Sequence, residues 1–109
     1  MYQVKLFEED RLGIKINSLV DEEGNIWFVG KEVAEIFGYK NSRKALGDHV
    51  DEEEKVILKS DVLNNLFASN KTLRTNFTNY KKIRELILIT EDGFYCLAIK
   101  SKILFLISI

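Results

Sequence analysis

Ile26-Trp27-Phe28-Val29 runs directly into Gly30-Lys31-Glu32-Val33-Ala34-Glu35-Ile36-Phe37-Gly38, and the change of period inside this stretch decides the fold class. The first four residues are bulky and β-branched or aromatic, as a strand prefers. In the following run Val33, Ile36 and Phe37 fall at i, i+3 and i+4, which places three apolar side chains on one helical face. Gly38 supplies the stop. A strand that turns at once into a helix points to a mixed α/β architecture.

Upstream, residues 13–20 alternate well enough for a strand with Ile14, Ile16 and Val20 on one face. Asp21-Glu22-Glu23-Gly24-Asn25 reads as a turn, because Gly and Asn tolerate positive φ and the acids prefer solvent. The two strands therefore form a β-hairpin, with Trp27 and Phe28 large enough to anchor a core.

Downstream, Asn41 or Ser42 can cap a second helix along which Ala45, Leu46, His49 and Val50 share one face. Arg43, Lys44, Gly47 and Asp48 occupy the other. Two short helices separated by Gly38-Tyr39-Lys40-Asn41 make a helix-turn-helix-like unit whose first helix packs and whose second is presented. Residues 48–54 are an acidic run, read as a solvated turn. Residues 55–59 read as a strand, and 63–69 stay open between helix and strand because a short apolar run cannot be assigned by periodicity alone.

Residues 71–84 carry five basic residues and no acidic one, with Phe77 and Tyr80 between them. This stretch reads as a long loop or hairpin tip. Its lysines and arginines could pair with phosphates while the rings stack on bases, and the ordinary alternative is a solvated loop with two aromatics in the core. Residues 83–89 form a further strand, Thr90-Glu91-Asp92-Gly93 a turn, and a helix follows from about Phe94 to Lys102. The expected fold is α+β: a small antiparallel sheet packed with short helices.

Composition narrows the function classes. At 109 residues the chain is long enough for one core and too short for two ordinary domains. Hydrophobic residues at 46% and charged residues at 30% describe a globular mixture. The formal net charge of −1 cannot draw in a polyanion by its overall field, so nucleic-acid binding must use a local patch. The lone Cys96 excludes an internal disulfide framework and a multi-cysteine metal site, and it reads as a small buried hydrophobe. The N-terminus lacks the apolar core of a signal peptide, and no stretch approaches the roughly 20 apolar residues needed to span a bilayer. A soluble protein of cytosol or nucleus is expected.

For Tyr39, packing with a wet hydroxyl is favoured over a base or sugar contact. The one histidine, His49, has no second histidine to ligate a metal with, and reads as partly exposed and structural. The 48–54 run lacks the glycine and ligand pattern of a calcium loop. Nucleophile elbow, phosphate-binding glycine loop and paired nucleophile and base are all missing from the sequence, so no enzyme activity and no cofactor are expected.

Three separated blocks resemble the N-terminal domain of the Bro family, found in baculovirus Bro proteins and in phage and prophage antirepressors. The first runs Trp27-Phe28-Val29-Gly30-Lys31-Glu32-Val33-Ala34 and on to Phe37-Gly38-Tyr39. The second is Arg43-Lys44-Ala45-Leu46 with His49-Val50-Asp51-Glu52-Glu53-Glu54-Lys55. The third is Ile89-Thr90-Glu91-Asp92-Gly93-Phe94-Tyr95, followed by Leu97 and Lys100-Ser101-Lys102. The resemblance implies a non-catalytic DNA-binding domain over 1–109 in a viral or prophage transcription regulator. Its home would be the cytoplasm of a bacterial host, or the nucleus for a virus of eukaryotes.

The residues expected to face double-stranded DNA are Lys40, Asn41, Ser42, Arg43 and Lys44 at the second helix, and Lys71, Arg74, Lys81 and Lys82 in the basic stretch. Cations in a first helical turn oppose the macrodipole, at about 0.3–1 kcal/mol each, and a facing phosphate would offset that cost. The competing expectation is a module that captures a repressor protein without binding DNA. Two departures from the family pattern stand out. Glu32 occupies a position where aspartate is usual, and the chain ends on the apolar run 103–109 where the family continues into a closing helix and a further domain. The domain is therefore expected to be truncated at its C-terminal end, with the tail buried in its own core or exchanged in a homodimer.

Overall fold

The computed structural model describes residues 3–9, 13–77 and 79–101. The apolar run 103–109 and the homodimer expected of it, like Lys102, lie outside these residues.

Among the described residues five strands form one sheet: β1 (Gln3–Glu9), β2 (Ile14–Val20), β3 (Ile26–Val29), β4 (Lys55–Lys59) and β5 (Glu85–Ile89). Their spatial order is β1-β2-β3-β5-β4, antiparallel throughout. The β2–β3 hairpin is present as expected, with Leu19 opposite Trp27. Asp21 organises its turn: one carboxylate oxygen accepts from the backbone N–H groups of Glu23 and Asn25, and the other from Trp27 Nε1 at 3.1 Å. The sheet is larger than the sequence reading gave, because β1 was not foreseen and pairs with the full length of β2.

Helices cover both faces of the sheet. On one face α1 (Gly30–Ile36), α2 (Ser42–His49) and α5 (Glu91–Lys100) enclose Ile16, Val33, Ala34, Phe37, Ala45, Leu46, Val50, Ile89 and Leu97. On the other, α3 (Ser60–Ser69) and α4 (Lys71–Asn76) enclose Leu19, Val29, Leu58, Leu63, Leu66, Phe67, Leu73, Leu86 and Leu88. The alternation in β5 explains how: Leu86 and Leu88 point to the second core, Ile87 and Ile89 to the first. In β2, Ile14 and Ile16 share the first core as the alternation expects and Leu19 lies in the second, and Ile16, Asn17, Ser18 and Leu19 are all buried.

The junction quoted at the outset behaves as its period predicts. β3 passes into α1 without a loop, and α1 ends where Gly38 adopts φ +82°. The Gly38 N–H donates to the Glu35 carbonyl and the Tyr39 N–H to the Ala34 carbonyl, the paired bonds that close a helix through a left-handed glycine. Asn41 then caps α2, its side-chain oxygen accepting from the Lys44 N–H at 3.0 Å. Ala45, Leu46 and Val50 are buried and Arg43, Lys44, Gly47 and Asp48 exposed, so α2 packs on one side and is presented on the other.

The 71–84 stretch is a correction. It is neither an open loop nor a hairpin tip but α4 followed by a 3-10 turn at Tyr80–Lys82. Asn70 starts α4 by accepting from the Leu73 N–H at 2.9 Å, and Leu73 is wholly buried. Phe77 and Tyr80 lie 6.1 and 5.2 Å from the Phe67 ring, so both aromatics belong to the second core. The open 63–69 segment is helical, within α3. The last helix begins at Glu91 rather than Phe94, because Thr90 accepts from the Gly93 N–H and acts as its cap.

Smaller expectations also shift. The Tyr39 hydroxyl is not left to water but donates to the Leu97 carbonyl. Cys96 is half-buried rather than enclosed. His49 is half-buried beside the Tyr39 ring, centroids 5.6 Å apart, as a structural histidine would be.

Candidate nucleic-acid interface

Asparagine capping at Asn41 and burial of Leu46 fix the start of α2 against α1, which leaves Lys40, Ser42 and Arg43 on an open rim. The 3-10 turn brings Lys82 to face them. Between lies a groove of about 780 Å3, walled by Lys31, Glu32 and Glu35 of α1, by Lys40, Asn41, Ser42 and Arg43, and by Asn76, Asn79 and Lys82. Residues some forty positions apart in sequence thus line one concave surface.

The groove is a mixed field in which each carboxylate already has a partner. Glu85 accepts from Arg43 Nη1 at 2.8 Å, and Glu35 stands 3.9 Å from Lys31 Nζ. Glu32 is turned inward. Its Oε1 accepts from the Asn17 backbone N–H at 2.7 Å and its Oε2 from Asn17 Nδ2 at 2.9 Å. Burial pushes the Glu32 carboxyl above its usual range, outweighing the lowering effect of the Asn17 hydrogen bonds. Lys40 and Lys82 have no carboxylate within ion-pair distance among the described residues.

Of the nine residues expected to face DNA, the groove brings together Lys40, Asn41, Ser42, Arg43 and Lys82. Lys44 points away and pairs with Asp48 at 2.5 Å, which holds the Asp48 carboxyl below its usual range. The helix-start cations therefore already have protein counter-charges, and the cost once assigned to a facing phosphate is met locally. Arg74 and Lys81 line a second groove beside Tyr80, and Lys71 lines neither. Arg74 reaches back to the carbonyl oxygens of Phe67 and Ala68, closing the C-terminal end of α3. With Phe77 and Tyr80 packed on Phe67, base stacking on those rings would require the second core to open.

Sequence reasoning missed Asn76 and Asn79, two amides in the groove wall. Their signal was their position among the cations of 71–84, but without α4 and the 3-10 turn nothing aimed them at α2. Lys31 and Glu35 were read only as helix residues, and Glu32 as a helix residue standing where the family usually has aspartate.

The model of the BRO family, N-terminal domain, matches residues 15–103, and the chain belongs to that family. An uncharacterized protein of Haemophilus influenzae (strain ATCC 51907 / DSM 11121 / KW20 / Rd) is 47% identical over 36 residues, 33% of this chain and 18% of that protein. The aligned stretch is thus less than a fifth of that relative's length. No solved structure matches.

Among the described residues no three His, Cys, Asp or Glu side chains are grouped so as to hold a metal ion. No helix among them is long and apolar enough to cross a membrane.

Proposed function

We propose that this chain is the non-catalytic DNA-binding part of a viral or prophage antirepressor-type regulator, with the groove between α2 and the Tyr80–Lys82 turn receiving the backbone of double-stranded DNA. The observation that carries the reading is the pair Lys40 and Lys82. They stand on opposite walls of one groove, without carboxylate partners among the described residues, while Glu32, Glu35 and Glu85 each face a donor or cation. Asn41 is committed to its helix cap, which leaves Ser42 and Asn79 as polar groups able to bond phosphate or sugar oxygens. The cationic patch is local, as a net charge of −1 demands.

The test is duplex binding by fluorescence anisotropy across salt concentrations with a shuffled competitor. Lys40→Ala with Lys82→Ala should lower the slope of log affinity against log salt by about two units. Equal binding by the double variant at every salt concentration removes the assignment.

A second reading, capture of a repressor protein, is favoured by Tyr95 and Ile99. These residues stand one turn apart on α5 and are 55% and 66% exposed. A largely apolar interface there would depend little on salt, and Tyr95→Ser with Ile99→Ser would abolish it while sparing DNA binding.

A further inference from the structure

The two walls of the groove belong to opposite layers of the fold. α1 and α2 pack on one face of the sheet, while α4 and the turn that follows it pack on the other. They meet through Asn17, a polar residue of β2 that is only 5% exposed. Asn17 Nδ2 donates to Glu32 of α1 at 2.9 Å, and Asn17 Oδ1 accepts from Asn76 Nδ2 of α4 at 2.8 Å. The strand pairing of β2 with β3 covers Ser18, Leu19 and Val20. One residue further, the Asn17 N–H donates to Glu32 Oε1, in the place where β3 has left the sheet to become α1. Each partner fixes the next: the two Glu32 oxygens accept, so the Asn17 amide must present its oxygen to Asn76.

We propose that Asn76, Asn17 and Glu32 form a latch that sets the width of the groove, with Glu32 and Asn76 acting as positioning residues for the Lys40 and Lys82 walls. Asn76 is the last residue of α4, so its bond to Asn17 fixes the point from which the turn carrying Lys82 departs. The latch concerns the protein alone, and its effect on DNA affinity rests on the reading under Proposed function. A preorganised groove binds with less ordering cost than one whose walls move independently. The carboxylate supplies two acceptors only while ionised. The charged groups that share its groove are Glu35 and Lys31 on α1, Lys40 before α2, Arg43 on α2, Lys82 on the turn and Glu85 on β5.

The width is measured by electron spin resonance between nitroxides at Gly47→Cys and Lys81→Cys, in the full chain with Cys96→Ser. The parent should give one narrow distance distribution at neutral pH. Asn76→Ala removes the donor, and the near-isosteric Asn76→Asp sets an acceptor against the Asn17 oxygen. Both should broaden the distribution while the protein still unfolds cooperatively. Acidification through the Glu32 midpoint, which burial places above 4.5, should broaden the parent in the same way, and Glu32→Gln should abolish that pH response. Narrow, unchanged distributions in both Asn76 variants overturn the latch. In the binding arm, Asn76→Ala should weaken affinity for duplex DNA about tenfold. Undiminished affinity with a broadened distance would overturn the latch's role in binding. A parent that fails to bind duplex DNA overturns the DNA reading instead, and the distance measurements still decide the latch.

Discussion

The Tyr39 hydroxyl donates to the Leu97 carbonyl oxygen at 2.8 Å, tying the corner between α1 and α2 to the last turn of α5. A helix leaves its final carbonyls without partners along its own axis, and here a side chain 58 positions away in sequence supplies one. Tyr39→Phe keeps the ring beside His49 and removes only that bond. The expected loss is about 1 kcal/mol of stability, read as a lower midpoint in thermal or urea unfolding. An unchanged midpoint would show that water replaces the hydroxyl at no cost.

Gly93 sits in the first turn of α5 where a Cβ would lie 3.2 Å from the Glu54 carbonyl oxygen, 3.2 Å from Val50 Cγ1 and 3.1 Å from Ile89 Cβ. The Glu54 carbonyl also accepts from the Thr90 N–H, so it cannot readily withdraw. Gly93→Ala improves helix propensity by about 1 kcal/mol, but overpacking against backbone costs typically 1–3 kcal/mol. A net destabilisation of about 1 kcal/mol is expected in denaturant titration, and a stabilised variant would contradict the close packing.

Arg43 and Lys44 hold exposed ion pairs with Glu85 and Asp48. Pairs of this kind contribute about 0–1 kcal/mol. Arg43→Ala with Lys44→Ala should therefore melt almost where the parent does. On the DNA-binding reading the double variant loses affinity for duplex, and it should lose less of the salt slope than Lys40→Ala with Lys82→Ala, because its cations already have protein counter-charges. Calorimetry and anisotropy on the two double variants separate these effects, and a large drop in melting temperature would show the ion pairs to be structural.

Asp21 accepts from Trp27 Nε1, and that hydrogen bond, with those from Asn25 and Glu23, holds its carboxyl below 3.8. A carboxyl depressed on folding lends stability that is present above 3.8 and is lost as pH falls through the lower folded value. Trp27 is the only tryptophan, so its fluorescence reports the bond directly. The emission should change with a midpoint below 3.8, and Asp21→Asn should abolish that transition. A midpoint at or above 3.8 would mean that the turn does not favour the ionised form.

What could be read in advance was local. The period change between Val29 and Val33, the glycine stop at Gly38 and the cap at Asn41 depend on neighbours within a turn or two, and all three stand in the structure. The second core was illegible because its evidence is non-local: Leu19, Leu73 and Leu88 come from three distant segments. The 71–84 stretch misled because its local signal, the Asn70 cap, lies just before the basic run and was not read, and because Phe77 and Tyr80 find their ring partner in Phe67 of the preceding helix. Half of the groove was legible at Lys40 to Arg43. The other half needed the turn at Tyr80–Lys82 to bring Asn79 and Lys82 across.

The joint between β3 and β5 is narrow: Phe28 pairs with Ile89 and Val29 with Leu88. It joins a hairpin made by neighbouring strands to a pair whose members are separated by two helices. Contacts between residues so far apart in sequence repay their loop-closure entropy only after the chain has come together. The folding nucleus is therefore expected at this seam, and trimming Phe28 or Ile89 should slow refolding, whereas trimming Ile14 at the far end of the hairpin should chiefly speed unfolding. Stopped-flow chevrons on the three variants would show it, and equal refolding rates throughout would place the nucleus elsewhere.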